Sequence, residues 1–189
     1  MGAAIRICIC AKRAQSDSDG EGWHEVILQN LVEIKYGKDH RHLESGDIPV
    51  YGSGGIMRYA NKALYEKESI LIPRKGTLSN LFYLNKPFWS VDTMFYTKLK
   101  KPFYGKYLFF LLKDLNLATM NVGSAVPSLT TEILNRLEII LPSDDTLTKF
   151  NKVATPFFER IEANIEETQT LTTLRDSLLP KLMRGEIAV

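Results

Sequence analysis

From Phe150 onward the apolar positions recur at steps of three or four: Phe150, Val153, Phe157, Ile161, Ile165, then across Thr168 to Leu171, Leu174 and Leu178. That spacing lays them on one stripe of a helix, with Glu159, Glu162, Glu166, Glu167 and Arg175 mostly elsewhere. A helix of roughly 30 residues is about 45 Å long, more than the diameter of a small preceding domain, so much of the stripe needs a partner outside that domain. Pro156 removes a backbone hydrogen bond and predicts either a kink or a division between a first short helix and the long one. Ile161 to Leu178 is the securely continuous part.

Upstream the pattern changes to short runs of β-branched, aromatic and leucine residues. Ile48–Tyr51, Ser69–Pro73, Asn80–Leu84 and Val91–Thr97 read as strands. Gly52-Ser-Gly-Gly55, Arg74-Lys-Gly76 and Asn85-Lys-Pro87 between them have turn composition. Together they predict an antiparallel, β-rich unit that begins near Trp23. Tyr104, Tyr107, Leu108, Leu111, Leu112 and Leu115 repeat at helical spacing and predict a helix of about 12 residues against that sheet. Asn121–Pro127 reads as a loop, Thr130 or Thr131 as the cap of a short helix, and Leu137–Leu141 as a closing strand. Pro142-Ser-Asp-Asp145 then serves as linker and cap. The fold class expected is α+β, a β-rich globular domain followed by a long C-terminal helix.

With 189 residues and 44% hydrophobic content, the chain has enough material for one domain with a core and an appendage. No apolar run approaches the ~20 residues of a membrane span, and Ile5–Cys10 is too short for a signal peptide, so no membrane partner and a cytoplasmic location are expected. Cys8 and Cys10 match neither a zinc pair nor a disulfide framework and read as reduced thiols. The formal net charge is only +2, but residues 56–113 hold 11 basic and 3 acidic side chains, while residues 147–189 hold 6 of each. A block so uneven reads as a field for polyanions or as a solvated lysine-rich face.

Catalytic motifs are missing. The chain contains no phosphate-binding G-x-x-x-x-G-K-[ST], no G-x-S-x-G and no H-E-x-x-H, and His24, His40 and His42 lie in polar surroundings that suit solvation better than metal ligation. Asp19 with Glu33-Ile-Lys35 has some likeness to the acid and E-x-K of a metal-dependent nuclease, which is kept as an alternative beside a plain interaction scaffold. No metal, cofactor or catalytic residue is assigned. Instead, cations interleave with amides, hydroxyls and aromatics. Lys and Arg neutralise phosphates, and Asn, Ser and Arg have the geometry to read base edges. The candidate DNA-contacting residues are Ser53, Arg58, Tyr59, Asn61, Lys62, Arg74, Lys75, Ser79, Asn80 and Ser124. Phe82, Phe88, Trp89, Phe95 and Tyr96 are better placed as core than as stacking platforms.

Several segments carry a resemblance in their order and spacing: Trp23-x-x-Val26-x-Leu28, Ile48-Pro-Val-Tyr-Gly-Ser-Gly-Gly55, Leu71-Ile-Pro-Arg-Lys-Gly76 and Pro87-Phe-Trp-Ser-Val-Asp-Thr93. Pro127-Ser-Leu-Thr130, Leu137-Glu-Ile-Ile-Leu-Pro142 and Leu178-Leu-Pro-Lys-Leu-Met-Arg-Gly-Glu-Ile187 complete it. From about Trp23 onward the chain resembles the specificity subunit of type I restriction–modification systems. The resemblance implies a target recognition domain over 23–142 that binds one half of a split double-stranded DNA site. It implies a helical spacer region over 143–189, and leaves 1–22 as an extension outside the pattern. Partners implied are DNA adenine methyltransferase (M) subunits and a restriction and translocation (R) subunit, which would carry all the catalysis. Members of that family carry two recognition domains and two helical regions, whereas this chain has one of each. It is therefore similar to a half-subunit. Its helix, through Ile161, Ile165, Thr168, Leu171, Leu174 and Leu178, is expected to pair antiparallel with its copy as a coiled coil in a homodimer. A truncated subunit that pairs with a different recognition chain is the alternative.

Overall fold

A computed structural model of the chain describes residues 22–115, 117 and 128–186. The chain divides into two compact units between Thr148 and Lys149. In order, the strands are β1 (His24–Ile27), β2 (Val32–Tyr36), β3 (Ile48–Gly52), β4 (Gly55–Ala60), β5 (Ser69–Pro73), β6 (Phe82–Leu84), β7 (Trp89–Ser90) and β8 (Met94–Leu99). Helices α1 (Gly105–Asp114) and α2 (Thr131–Asn135), strand β9 (Glu138–Leu141) and helix α3 (Asp144–Met183) follow.

Among the described residues the first unit holds three sheets: β1-β9, β2-β8-β5-β6 and β4-β3-β7. Strand β5 explains how they stack. It is buried at all five positions, as expected of an inner strand covered on both faces. Successive side chains of a strand point to opposite faces. Accordingly Ile70 and Ile72 enter one core, with Phe95 of β8 and Leu108 and Leu112 of α1. Leu71 enters the other, with Met94 and Tyr96 of β8, Val50 of β3, Phe88 and Trp89. The four-stranded sheet is thus the wall between two apolar layers. Its two buried hydroxyl residues are satisfied within it: Ser69 donates to the Thr97 carbonyl at 2.7 Å, and the Ile70 N–H donates to Thr97 Oγ1 at 2.8 Å.

Several expectations need correction. The sheets are not wholly antiparallel, because β3 and β7 pair in parallel at Val50–Trp89 and Tyr51–Ser90. The chain passes through three further strands before returning beside β3, which leaves room for such a crossover. The strand expected from Val91 begins at Met94, after a turn at Asp92 and Thr93. Pairing of β1 with β9 across the length of the unit was not anticipated. Of the histidines, His40 is half-buried rather than solvated, and its Nδ1 has no hydrogen-bond partner among the described residues.

Both predicted caps of the short helix and the long one are present. Thr130 Oγ1 accepts the Ile133 N–H at 3.3 Å, and Ser143 Oγ accepts the Thr146 N–H at 3.3 Å, with Asp144 and Asp145 in the first turn of α3 favouring its positive end. Helix α3 continues for 40 residues, about 60 Å, and Pro156 does not divide it. The helix ends in a glycine-type stop. Gly185 has φ +71°, and its N–H and that of Glu186 bond to the Leu182 and Lys181 carbonyls. Val153, Phe157, Ile161, Ile165, Leu171, Leu174 and Leu178 are exposed along α3, as is Thr168.

Candidate nucleic-acid interface

Nine of the ten candidate contact residues fall in two groups, and the tenth, Ser124, lies outside the described residues. The first group gathers where the β3–β4 turn meets the segment after β5. Gly55 takes φ +117° at the end of that turn and Gly76 takes φ +87° in the facing loop, conformations that side-chain-bearing residues rarely adopt. A Cβ on Gly76 would stand 2.8 Å from Ser53 Oγ, so the two loops touch there. The Asn80 amide ties them by donating to the Ser53 carbonyl at 3.0 Å.

Arg74 is held from both sides through its backbone. Its N–H donates to the Thr93 carbonyl at 2.8 Å, and its carbonyl accepts the Leu129 N–H at 2.9 Å. Lys75 forms an isolated antiparallel bridge with Ser128. The backbone being fixed, the Arg74 guanidinium lies 5.4 Å from the centre of the Tyr36 ring, with a long 3.4 Å contact to the Asp92 carbonyl. Tyr36, the last residue of β2, is 51% exposed and leans edge-on against Phe95 beneath. Arginine over an outward tyrosine, with Lys75 and Ser79 exposed beside it, makes a cationic tip on a rigid frame. Sequence reasoning missed Tyr36. Its signal was a polar-face aromatic at a strand end, and only the approach of Arg74 distinguishes it from an ordinary exposed ring.

The second group has a different character. Arg58 is half-buried, and its Nη2 donates to the carbonyls of His40 at 3.0 Å and Leu43 at 2.6 Å. Asn61 pairs through its amide with Glu44 at 3.1 Å, and its N–H bonds the Glu44 carbonyl. These two residues pin the segment 40–44 onto β4. Tyr59 and Lys62 remain exposed beside them.

Glu33 and Lys35, the pair behind the nuclease alternative, neutralise each other. Their side chains meet at 2.5 Å on one face of β2, and Asp19 lies outside the described residues. Hydrogen bonding to Lys35 lowers the Glu33 carboxyl below its ordinary range, and the same bond raises Lys35. Among the described residues no three His, Cys, Asp or Glu side chains gather as a metal site would require. The arrangement offers cations, amides and hydroxyls at loop tips, groups that bind and orient.

An α+β unit with such loops, joined in sequence to a 40-residue helix, is a recognisable type. Residues 20–174 match the family model described as the type I restriction modification DNA specificity domain, and the chain belongs to that family. It is similar to the specificity subunit of the type I restriction enzyme HindI of Haemophilus influenzae, with 39% identity over 92 residues, covering 49% of this chain and 18% of that protein. It is also similar to the MjaIX specificity subunit of Methanocaldococcus jannaschii, with 30% identity over 136 residues, covering 71% and 29% respectively. Among solved structures, the S subunit of a type I system from M. genitalium shares the fold at a TM-score of 0.70 and 24% identity, covering 88% of this chain and 47% of that one. The chain spans about half the length of that structure and less of the two relatives.

Proposed function

We propose that this chain is a non-catalytic DNA-recognition subunit. It reads one half of a split double-stranded target and brings adenine methyltransferase subunits, and a restriction and translocation subunit, to that site in the cytoplasm. Family membership over 20–174 supports this reading. The observation that carries it is the loop tip at Ser53, Arg74, Lys75 and Asn80, where a fixed backbone presents an arginine on an exposed tyrosine ring. Phosphate contacts from Lys75 would set register on the duplex, and Arg74 and Ser79 have the donors for base edges.

For assembly, the exposed stripe of α3 favours a second copy of the chain. Ile161, Ile165, Leu171, Leu174 and Leu178 cover about five turns, and a two-fold antiparallel pair would bury that stripe on itself. Two copies then present two identical heads, and protein symmetry is mirrored in a palindromic split site.

The test is a base-resolution map of adenine methylation in cells given the chain with a candidate methyltransferase subunit. A new split palindromic motif, absent without the chain and abolished by Leu171→Asp, is the expected result. An asymmetric split motif would replace the homodimer by a pair with a different recognition chain, and no motif with any partner would overturn the reading.

A further inference from the structure

Strand β2 is the outer strand of its sheet, and a cleft of about 490 Å³ opens along it and the end of β8. Three lysines line this cleft: Lys35 from β2, Lys98 from β8 and Lys100 just beyond it. Register explains their convergence. Glu33 stands opposite Lys98 and Lys35 opposite Tyr96, so alternate positions of two paired strands share a face. Glu33 is the sole carboxylate among the lining residues. It pairs with Lys35 at 2.5 Å and also lies in the field of Lys98 and Lys100, so one carboxylate faces three cations and the cleft keeps a net positive charge.

Neither Lys98 nor Lys100 is strongly held. Lys98 Nζ sits 5.8 Å from the Tyr65 ring centre, and Lys100 Nζ donates to the Gln29 carbonyl at 2.9 Å on the exposed surface. An ammonium carries three donors, so one such bond leaves the others for a ligand. Gln29 and Asn135 add amides to the same lining. Point cations flanked by amides in an open cleft suit phosphodiester oxygens.

Position gives the cleft a role. Lys35 is followed directly by Tyr36, the ring under the Arg74 guanidinium, and their side chains leave the edge strand β2 toward opposite faces, so the cleft and the loop tip flank one sheet edge. A five-residue strand spans about 16 Å, and each strand of duplex DNA advances about 3.4 Å of axis per phosphate, so a duplex lying along that edge would run past both. We propose that Lys98 and Lys100 hold the sugar–phosphate backbone of duplex DNA in this cleft while bases are addressed from the loop tip. This rests on the DNA-recognition reading and assigns it a sequence-independent anchoring site.

The test is binding of the full chain to a short labelled duplex of mixed sequence over a salt series. Three proteins are compared: the wild type, Lys98→Gln with Lys100→Gln, and Arg74→Ala with Lys75→Ala. Each phosphate contact contributes about 0.9 to the slope of log affinity against log salt, so the cleft variant should flatten it by about two. Its affinity should fall by the same factor for every duplex sequence tried. Should the double variant melt below the wild type, Lys98→Gln alone should flatten the slope by about one. A wild-type slope in the cleft variant, with the Arg74 and Lys75 variant impaired, would overturn the cleft and leave DNA recognition standing. Loss of methyltransferase capture with an unchanged slope would overturn it in favour of an acidic protein partner. A wild type that binds no duplex would remove both readings together.

Discussion

Arg58 and Arg74 look alike along the chain: each follows a short apolar strand segment, and each lies within the same basic block. In the fold they do opposite things. Arg58 is half-buried and gives its terminal nitrogen to two backbone carbonyls of the segment it holds down. Arg74 is fixed through its backbone instead, and its guanidinium rests on an exposed ring at a loop tip. The first arginine builds the frame and the second is presented by it. What separates them is which carbonyls lie within reach, and that depends on residues 15 to 18 positions away.

The largest expected effect comes from breaking the frame. Arg58→Ala leaves two carbonyls without their charged donor, and removing hydrogen bonds to a charged group costs about 3 kcal/mol in total. Denaturant unfolding should show that loss, with the loops of 40–44 losing amide protection first. Duplex binding would fall only as the fraction folded falls.

Breaking the presented side should invert the pattern. Arg74→Ala with Lys75→Ala should leave unfolding stability within about 0.5 kcal/mol of wild type, because Lys75 is exposed and the half-buried Arg74 side chain makes only a ring contact and one long 3.4 Å contact. Duplex affinity should drop at least tenfold at physiological salt, about 1.4 kcal/mol, and the salt slope should flatten. If the two variants behaved alike, the distinction between frame and tip would be lost.

A third variant sharpens the comparison with a smaller effect. Tyr83 donates to Glu68 at 2.6 Å. Burial raises the Glu68 carboxyl above its ordinary range, opposed by that hydrogen bond and by the charge of Lys106. Tyr83→Phe removes the bond that favours the ionised form, so the Glu68 carboxyl should rise further. Because the folded value is raised, Glu68 detracts from stability as pH climbs above the unfolded carboxyl range. The variant should therefore lose about 1 kcal/mol at neutral pH and less in acid, where the group is protonated in both states. Duplex binding should not change.

Much of the fold was legible because its periods are clean. The three-and-four spacing from Phe150 to Leu178 marks α3, and apolar runs such as Ser69–Pro73 mark buried strands. Caps at Thr130 and Ser143 follow from hydroxyls placed just before helical patterns. Sheet order was not legible. The parallel pairing of β3 with β7 and the union of β1 with β9 join segments whose local composition carries no trace of each other. Helix α3 also passes through Pro156, where loss of one backbone bond is outweighed by a long run of others. For the candidate site, residue types were legible and their engagement was not. Asn61 and Asn80 are the same side chain in turns, yet one closes on Glu44 and the other ties Ser53 into the loop tip. Tyr36 carried no distinguishing signal until Arg74 was found above it.

The measurement that tests the central claim most directly is selection by the full chain from a pool of random duplexes, followed by sequencing of those retained. The account predicts enrichment of a split motif of two inverted half-sites, lost when Arg74 and Lys75 are both changed to Ala and kept when Tyr83 is changed to Phe. A retained pool indistinguishable from the input would contradict it.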